Sequence, residues 1–198
     1  MMIAGPALVD QASRGDVSKE ELGHAEIHTR NGSIDDEGAS EAEAFERTRR
    51  FLSYLPSNTA ELPPLIESED DPERRDSALS DIVPRVPRRV YKMRRIIEAV
   101  ADLGTFFEIG RRWGGSIITG LARLEGVPVA IFAEDPYVYG GAWTADAARK
   151  LRRLVDLASI FHLPLIHFED CPGFLIGKKS EQEGTIRFGS EALAALGQ

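Results

Sequence analysis

The chain has 198 residues, enough for one ordinary domain or two small ones. Hydrophobic residues at 42% and charged residues at 28% indicate a globular protein, and no apolar run approaches the roughly 20 residues that cross a bilayer. A net charge of −8 argues against nucleic acid as a partner, and a lone cysteine, Cys171, excludes an internal disulfide and fits a reducing cytoplasm.

The opening residues carry no basic segment and no apolar core, so they do not read as a secretory signal. Ser18 and Glu21 have capping-box spacing and predict a short helix. His24 and His28 lie four apart behind Glu21, a spacing that can bind metal on a helix, but no second ligand cluster supports them and no metal site is expected. A second helix is predicted from Ser40, with Ala44, Phe45, Thr48, Phe51, Leu52 and Leu55 on one face and Pro56 closing it. Residues 57–89 read as an extended crossing between domains. They carry Pro63, Pro64, Pro72, Pro84 and Pro87 and an acidic run at 67–71. Arg85, Arg88 and Arg89 form a basic patch there, read as solvated surface rather than a phosphate contact.

Beyond residue 90 the pattern sharpens. Met93, Ile96, Ile97 and Val100 mark a short helix, and residues 105–109 a strand. Residues 116–124 and 127–133 are apolar, β-branched and split by Glu125-Gly126, as neighbouring strands are. Thr144 caps a helix with Ala147, Leu151, Leu154, Val155, Ala158 and Phe161 on one face, and residues 165–168 form the next strand. This strand–helix–strand order predicts two parallel strands. A last helix is predicted over 183–196.

Ligands bind beyond the carboxyl ends of such strands, which selects the loops 134–143 and 169–177. Both combine Pro with Gly, and Gly lets the backbone approach a ligand closely. Neither holds a nucleophile beside a base, an absence that suits enolate chemistry stabilised by backbone amides, and spacing alone equally allows ordinary βα turns. Two Glu-Asp pairs, Glu134-Asp135 and Glu169-Asp170, invite a Mg²⁺ site or an acid–base division; capping of the following turns is preferred. Cys171 reads as a small turn residue rather than a nucleophile, His162 and His167 as packing residues, and Trp113 and Trp143 as core or rim packing.

The run 117–130, Ile-Ile-Thr-Gly-Leu-Ala-Arg-Leu-Glu-Gly-Val-Pro-Val-Ala, resembles the opening of the second domain of the carboxyltransferase (beta) subunits of biotin-dependent acyl-CoA carboxylases. Asp135-Pro136 with Tyr139-Gly140-Gly141-Ala142, then Asp170-Cys171-Pro172-Gly173-Phe174, then Gly184-Thr185-Ile186-Arg187 with Gly189, continue the likeness in order. Upstream, Ala4-Gly5-Pro6, Glu20-Glu21-Leu22-Gly23 and Phe51-Leu52-Ser53-Tyr54-Leu55-Pro56 resemble the end of the first domain.

The resemblance implies an α/β, ClpP/crotonase-like twisted β-sheet spiral with flanking helices, incomplete in this chain. It divides the chain into the end of an acyl-CoA-side domain (1–56), an interdomain linker (57–89) and the first part of a biotin-side domain (90–198). It implies carboxyl transfer from carboxybiotin to the α carbon of an acetyl- or propionyl-class acyl-CoA. The biotin is carried on a partner, so biotin carboxyl carrier and biotin carboxylase components and further beta subunits are the implied partners. In the implied reaction carboxybiotin releases CO₂, its ureido nitrogen removes the α proton, and the enolate attacks CO₂. Ala4, Gly5 and Pro6 fall on the acyl-CoA side; Asp135, Pro136, Gly140, Gly141, Asp170, Pro172, Gly173, Phe174, Gly184 and Arg187 fall on the biotin side, all in positioning roles, with no general base among them.

Two departures stand out. Many relatives carry Asn-Gln where this chain has Glu134-Asp135, and a histidine where it has Phe188. The family's oxyanion glycines are expected before residue 1 and after residue 198, so the chain alone is expected to transfer little carboxyl. The competing expectations are a hydratase or decarboxylase of the crotonase superfamily, and a non-catalytic assembly module.

Overall fold

The computed structural model describes residues 2–13, 15–86 and 89–197. Four short helices come first, α1 (Pro6–Ser13), α2 (Lys19–Gly23), α3 (Ala25–Arg30) and α4 (Glu41–Leu52). Ser18 makes the expected capping box with Glu21, and Ser40 Oγ accepts from Glu43 N–H at 3.2 Å to start α4. Residues 57–92 are irregular apart from the single turn α5 (Leu79–Ile82) among the described positions. Arg85 and Arg89 are exposed; Arg88 lies outside the described residues.

Helix α6 (Met93–Val100) leads into a four-stranded sheet of β1 (Phe107–Ile109), β2 (Ile117–Leu124), β3 (Val127–Glu134) and β4 (Leu165–Phe168), ordered β1-β2-β3-β4. The first three strands pair antiparallel and β3 pairs parallel with β4, with Phe132 opposite His167. Between β3 and β4 runs α7 (Ala145–Ile160), started by Thr144 Oγ1 accepting from Ala147 N–H at 3.0 Å. The helices α8 (Lys178–Gln182) and α9 (Thr185–Leu196) follow. The predicted final helix thus begins at Thr185, because Gly184 is left-handed (φ 74°) and interrupts it. β1 starts at Phe107 rather than 105, because Thr105 N–H turns back onto the Asp102 carbonyl.

The sheet is buried on both faces, as strand alternation requires. Ile117, Leu121, Ala130 and Phe132 point to one side, against α7, α9 and the end of α4. Ile118, Ala122, Val129, Ile131 and Ala133 point to the other, against Met93 and Ile97 of α6. No helix among the described residues is long and apolar enough to cross a membrane.

Arg123 shares the Leu121 face of β2, yet is 4% exposed. Its guanidinium donates to the carbonyls of Pro64 (2.9 Å), Gly126 (2.7 Å) and Ser53 (2.7 Å). One side chain thereby ties the end of α4 and the segment at Pro64 to the β2–β3 turn. A lysine cannot span three carbonyls on separate segments. Arg123→Lys should lower the unfolding free energy by about 1–2 kcal/mol in chemical denaturation.

Candidate functional site

Because β3 and β4 are parallel neighbours, the chain leaves both at the same sheet edge. The two loops selected from sequence therefore emerge side by side, and backbone bonds join them. Trp143 N–H donates to the Gly173 carbonyl at 3.0 Å, and Leu175 N–H to the Trp143 carbonyl at 2.9 Å. Gly141 makes this approach possible: a Cβ there would lie 2.9 Å from both the Asp170 carbonyl oxygen and Glu134 Cβ, at a φ of 82°. Phe174 packs edge-on against Trp143 with ring centroids 6.0 Å apart, and sits where a Cβ on Gly189 would be.

Three of the four acidic groups are engaged, and Glu169 is exposed. Asp135 Oδ1 accepts from Tyr137 N–H at 3.1 Å, the turn cap expected of Asp before Pro, and Oδ2 is ion-paired with Arg94 of α6. Arg94 also grips Glu108 of β1 through two bonds of 2.6 and 2.9 Å. Burial works against the Arg94 charge, but Glu108 and Asp135 outweigh it and raise its pKa. Asp170 accepts from the Tyr91 hydroxyl at 2.6 Å; burial, then this bond, raise the Tyr91 pKa. Glu134 is fully buried and accepts from Trp143, His167 and the Asp170 backbone. Burial raises its pKa, but those three donors outweigh it and hold the carboxyl below the usual range.

Among the described residues no cluster of His, Cys, Asp and Glu forms a metal site. His24 Nδ1 instead accepts from Glu26 N–H at 3.2 Å, and His28 Nε2 contacts the Leu22 carbonyl. Burial pushes the Cys171 thiol up and the nearby carboxylates of Glu134, Glu169 and Asp170 add to it, against a hydrogen bond from Gly173 N–H, so this sulfur is no activated nucleophile.

The positions that the resemblance implied for the biotin side lie on these loops and at the start of α9. Asp135, Pro136 and Gly141 are buried, Phe174 and Gly184 are half-buried, and Gly140, Asp170, Pro172, Gly173 and Arg187 are exposed. Arg187 pairs with Glu191 along α9 at 3.2 Å. Ala4, Gly5 and Pro6 sit apart at the start of α1, a helix that buries none of its residues, with nothing within 4 Å of a Gly5 Cβ. Sequence reasoning passed over Arg94, Tyr91 and Lys150, and read His167 only as a packing residue. Tyr137 and Tyr139, read only as part of the first loop, stand 58% and 61% exposed at its tip. Two clefts of about 280 and 360 Å³ on the α4 side are lined by no residue of 134–143 or 169–177.

Comparison with known proteins decides the family. The carboxyl transferase domain family matches residues 1–198. The chain belongs to that family. A propionyl-CoA carboxylase beta chain of Roseobacter denitrificans is 39% identical over 199 aligned residues, which take in all of this chain and 39% of the relative. A methylmalonyl-CoA decarboxylase subunit alpha of Veillonella parvula is 34% identical, again over all of this chain and 39% of the relative. Among solved structures, a transcarboxylase 12S hexamer with methylmalonyl-coenzyme A bound superposes with a TM-score of 0.93 at 32% identity, covering 98% of this chain and 38% of that one. The chain thus spans about two fifths of the length of the relatives it matches. Its mixed α/β sheet is the crotonase-like fold of carboxyltransferases that the motifs implied.

Proposed function

We propose that this chain is part of the carboxyltransferase component of a biotin-dependent acyl-CoA carboxylase. The reaction moves a carboxyl group between carboxybiotin and the α carbon of an acyl-CoA of the acetyl or propionyl class. The single observation that carries the reading is the pair of glycine-bearing loops locked together at the β3–β4 edge, with the carboxylates of Glu134, Asp135 and Asp170 spent on structural partners. Such a site offers backbone rather than a general base, which is what transfer by an enolate route needs from the protein. The propionyl- and methylmalonyl-CoA relatives favour a three-carbon acyl group.

The loops fit the flat ureido ring of biotin. Gly140 and Gly173 are exposed, at φ 63° and 112°, with no atom within 4 Å of either Cβ position. A planar group can therefore lie against bare backbone at both points. When bound, carboxybiotin supplies the carboxyl group and a basic ureido nitrogen. Asp135 and Asp170 then act by fixing loop position, through Arg94 and Tyr91 respectively. In this reading residues 1–56 close an acyl-CoA-side domain, with Ala4, Gly5 and Pro6 near the thioester. Residues 57–89 link, and 90–198 open the biotin-side domain. The partners are biotin carboxyl carrier and biotin carboxylase components and further copies of the beta subunit, working in the cytoplasm.

The test is carboxyl transfer between acyl-CoA and biotin by the assembled carboxylase. Asp135→Asn and Asp170→Asn should each slow transfer by about tenfold or less. A hydratase or decarboxylase using these carboxylates as acid and base would lose on the order of 10²–10⁴. A loss of that size, or activity that persists without biotin, would retire the carboxyltransferase reading.

A further inference from the structure

Glu134 is the last residue of β3, and no described side chain in either loop has so many partners across the site. Its Oε1 accepts from Trp143 Nε1 at 3.0 Å and lies 3.1 Å from His167 Nε2. Its Oε2 accepts from Asp170 N–H at 3.0 Å and lies 3.0 Å from the same His167 nitrogen. A carboxylate can only accept, so Nε2 carries the proton. The His167 ring is itself held, stacked on Phe132 at 3.9 Å between centroids. Trp143 closes the first loop, Asp170 opens the second, and His167 sits on β4. One buried carboxylate therefore touches both loops and the strand below the second.

The physical consequence is coupling. A buried ionised carboxylate is tolerated only while its donors are in place. If the first loop swings out, it takes the Trp143 N–H away; if the second moves, it takes the Asp170 N–H. Either motion takes a donor from a carboxylate that is itself 0% exposed. The two loops therefore hold or open as one unit. An apolar residue at 134 would take the shared anchor from both loops at once. Gly140 and Gly173 are carried on these same loops, so their spacing follows.

We infer that Glu134, oriented by His167, is a positioning residue that couples the two loops and so fixes the spacing of the Gly140 and Gly173 backbone against which biotin lies. The second half rests on the carboxyltransferase reading above; the coupling itself does not.

Two measurements on the assembled enzyme separate these parts. In hydrogen exchange, Glu134→Ala should speed exchange at 135–143 and 169–177 together, by about tenfold or more, while 117–124 and 147–158 keep their protection. Glu134→Gln keeps one acceptor oxygen, enough for the Trp143 or the Asp170 donor but not both, and should recover part of the effect even if the alanine variant folds poorly. His167→Phe keeps the stack on Phe132 and removes the donor, and should give the same pattern at smaller amplitude. In carboxyl transfer from a carboxylated acyl-CoA to free biotin, KM for biotin should rise about tenfold in Glu134→Ala, with KM for the acyl-CoA within twofold. Loosening of one loop without the other overturns the coupling. Equal rises in both KM values, or a kcat that merely tracks the folded fraction, overturn the biotin-positioning role. If the unmodified enzyme transfers no carboxyl at all, the functional reading fails, and the exchange data still decide the coupling.

Discussion

Replacing Lys150 with methionine should leave the fold at least as stable at neutral pH and remove a steep alkaline dependence of its stability. Lys150 is 4% exposed on the core side of α7, where its Nζ donates to the Ile117 carbonyl at 2.6 Å. Burial is the main cause that depresses its pKa to about 8, with Arg94 adding to it, while Glu108, Asp35 and Asp135 pull the other way. The unfolded chain holds this proton up to the ordinary lysine value of 10.5. Between those two values the unfolded state binds more protons, so stability rises with pH across that window. The full difference amounts to about 3 kcal/mol.

Methionine keeps the stem and removes the charge, at the cost of the bond to Ile117, about 1–2 kcal/mol. Denaturant unfolding from pH 7 to 10.5 should show Lys150→Met ahead of the parent by about 1 kcal/mol at pH 7. The parent should then gain about 3 kcal/mol relative to the variant by the top of the range. A difference that stays flat with pH would mean that the folded lysine keeps its proton up to the ordinary value, as a well-solvated ammonium does.

Lys150 also shows where sequence patterning stops. The apolar face of α7 was legible as Ala147, Leu151, Leu154, Val155, Ala158 and Phe161; the first five are buried, and Phe161, just past the helix end, is half-buried. Lys150 follows Ala147 by three and precedes Leu154 by four, so it lies on that same face. The pattern contained the signal of a lysine at a core position, but nothing local says what a buried ammonium would meet. Arg123 is the same case on a strand, sharing its face with Ile117 and Leu121. The strands, the caps at Ser18, Ser40 and Thr144, and the two loops were readable because each depends on neighbours within a few residues. Helix α8 was not, because Lys178-Lys179-Ser180-Glu181-Gln182 has no apolar period. The Glu134 contacts join residues 9, 33 and 36 positions apart. Only the parallel register of β3 on β4 brings them together, so both Glu-Asp pairs looked alike in sequence. In the fold one Glu is fully buried and the other, Glu169, is exposed.

The charge cluster around Lys150 makes Arg94→Met the most damaging single change expected outside the hydrophobic core. Arg94 joins α6 to β1 through Glu108 and to the first loop through Asp135, whose side chains are 12% and 6% exposed. Its loss leaves two poorly solvated carboxylates without their shared cation, a change that costs about 3–5 kcal/mol. Lys150 bounds the damage. Arg94 is one of the groups holding the Lys150 pKa down, and Glu108 and Asp135 are among those pulling it up. Without Arg94 the lysine proton should bind more tightly, and the alkaline window in which the parent gains stability should narrow from below. Arg94→Met combined with Asp135→Asn should recover a substantial part of the loss, because one of the two stranded charges is gone. The double variant should unfold nearer the parent at pH 7 than Arg94→Met does alone. Simple additivity of the two losses would mean that Arg94 serves Glu108 alone and that the first loop keeps its place without it.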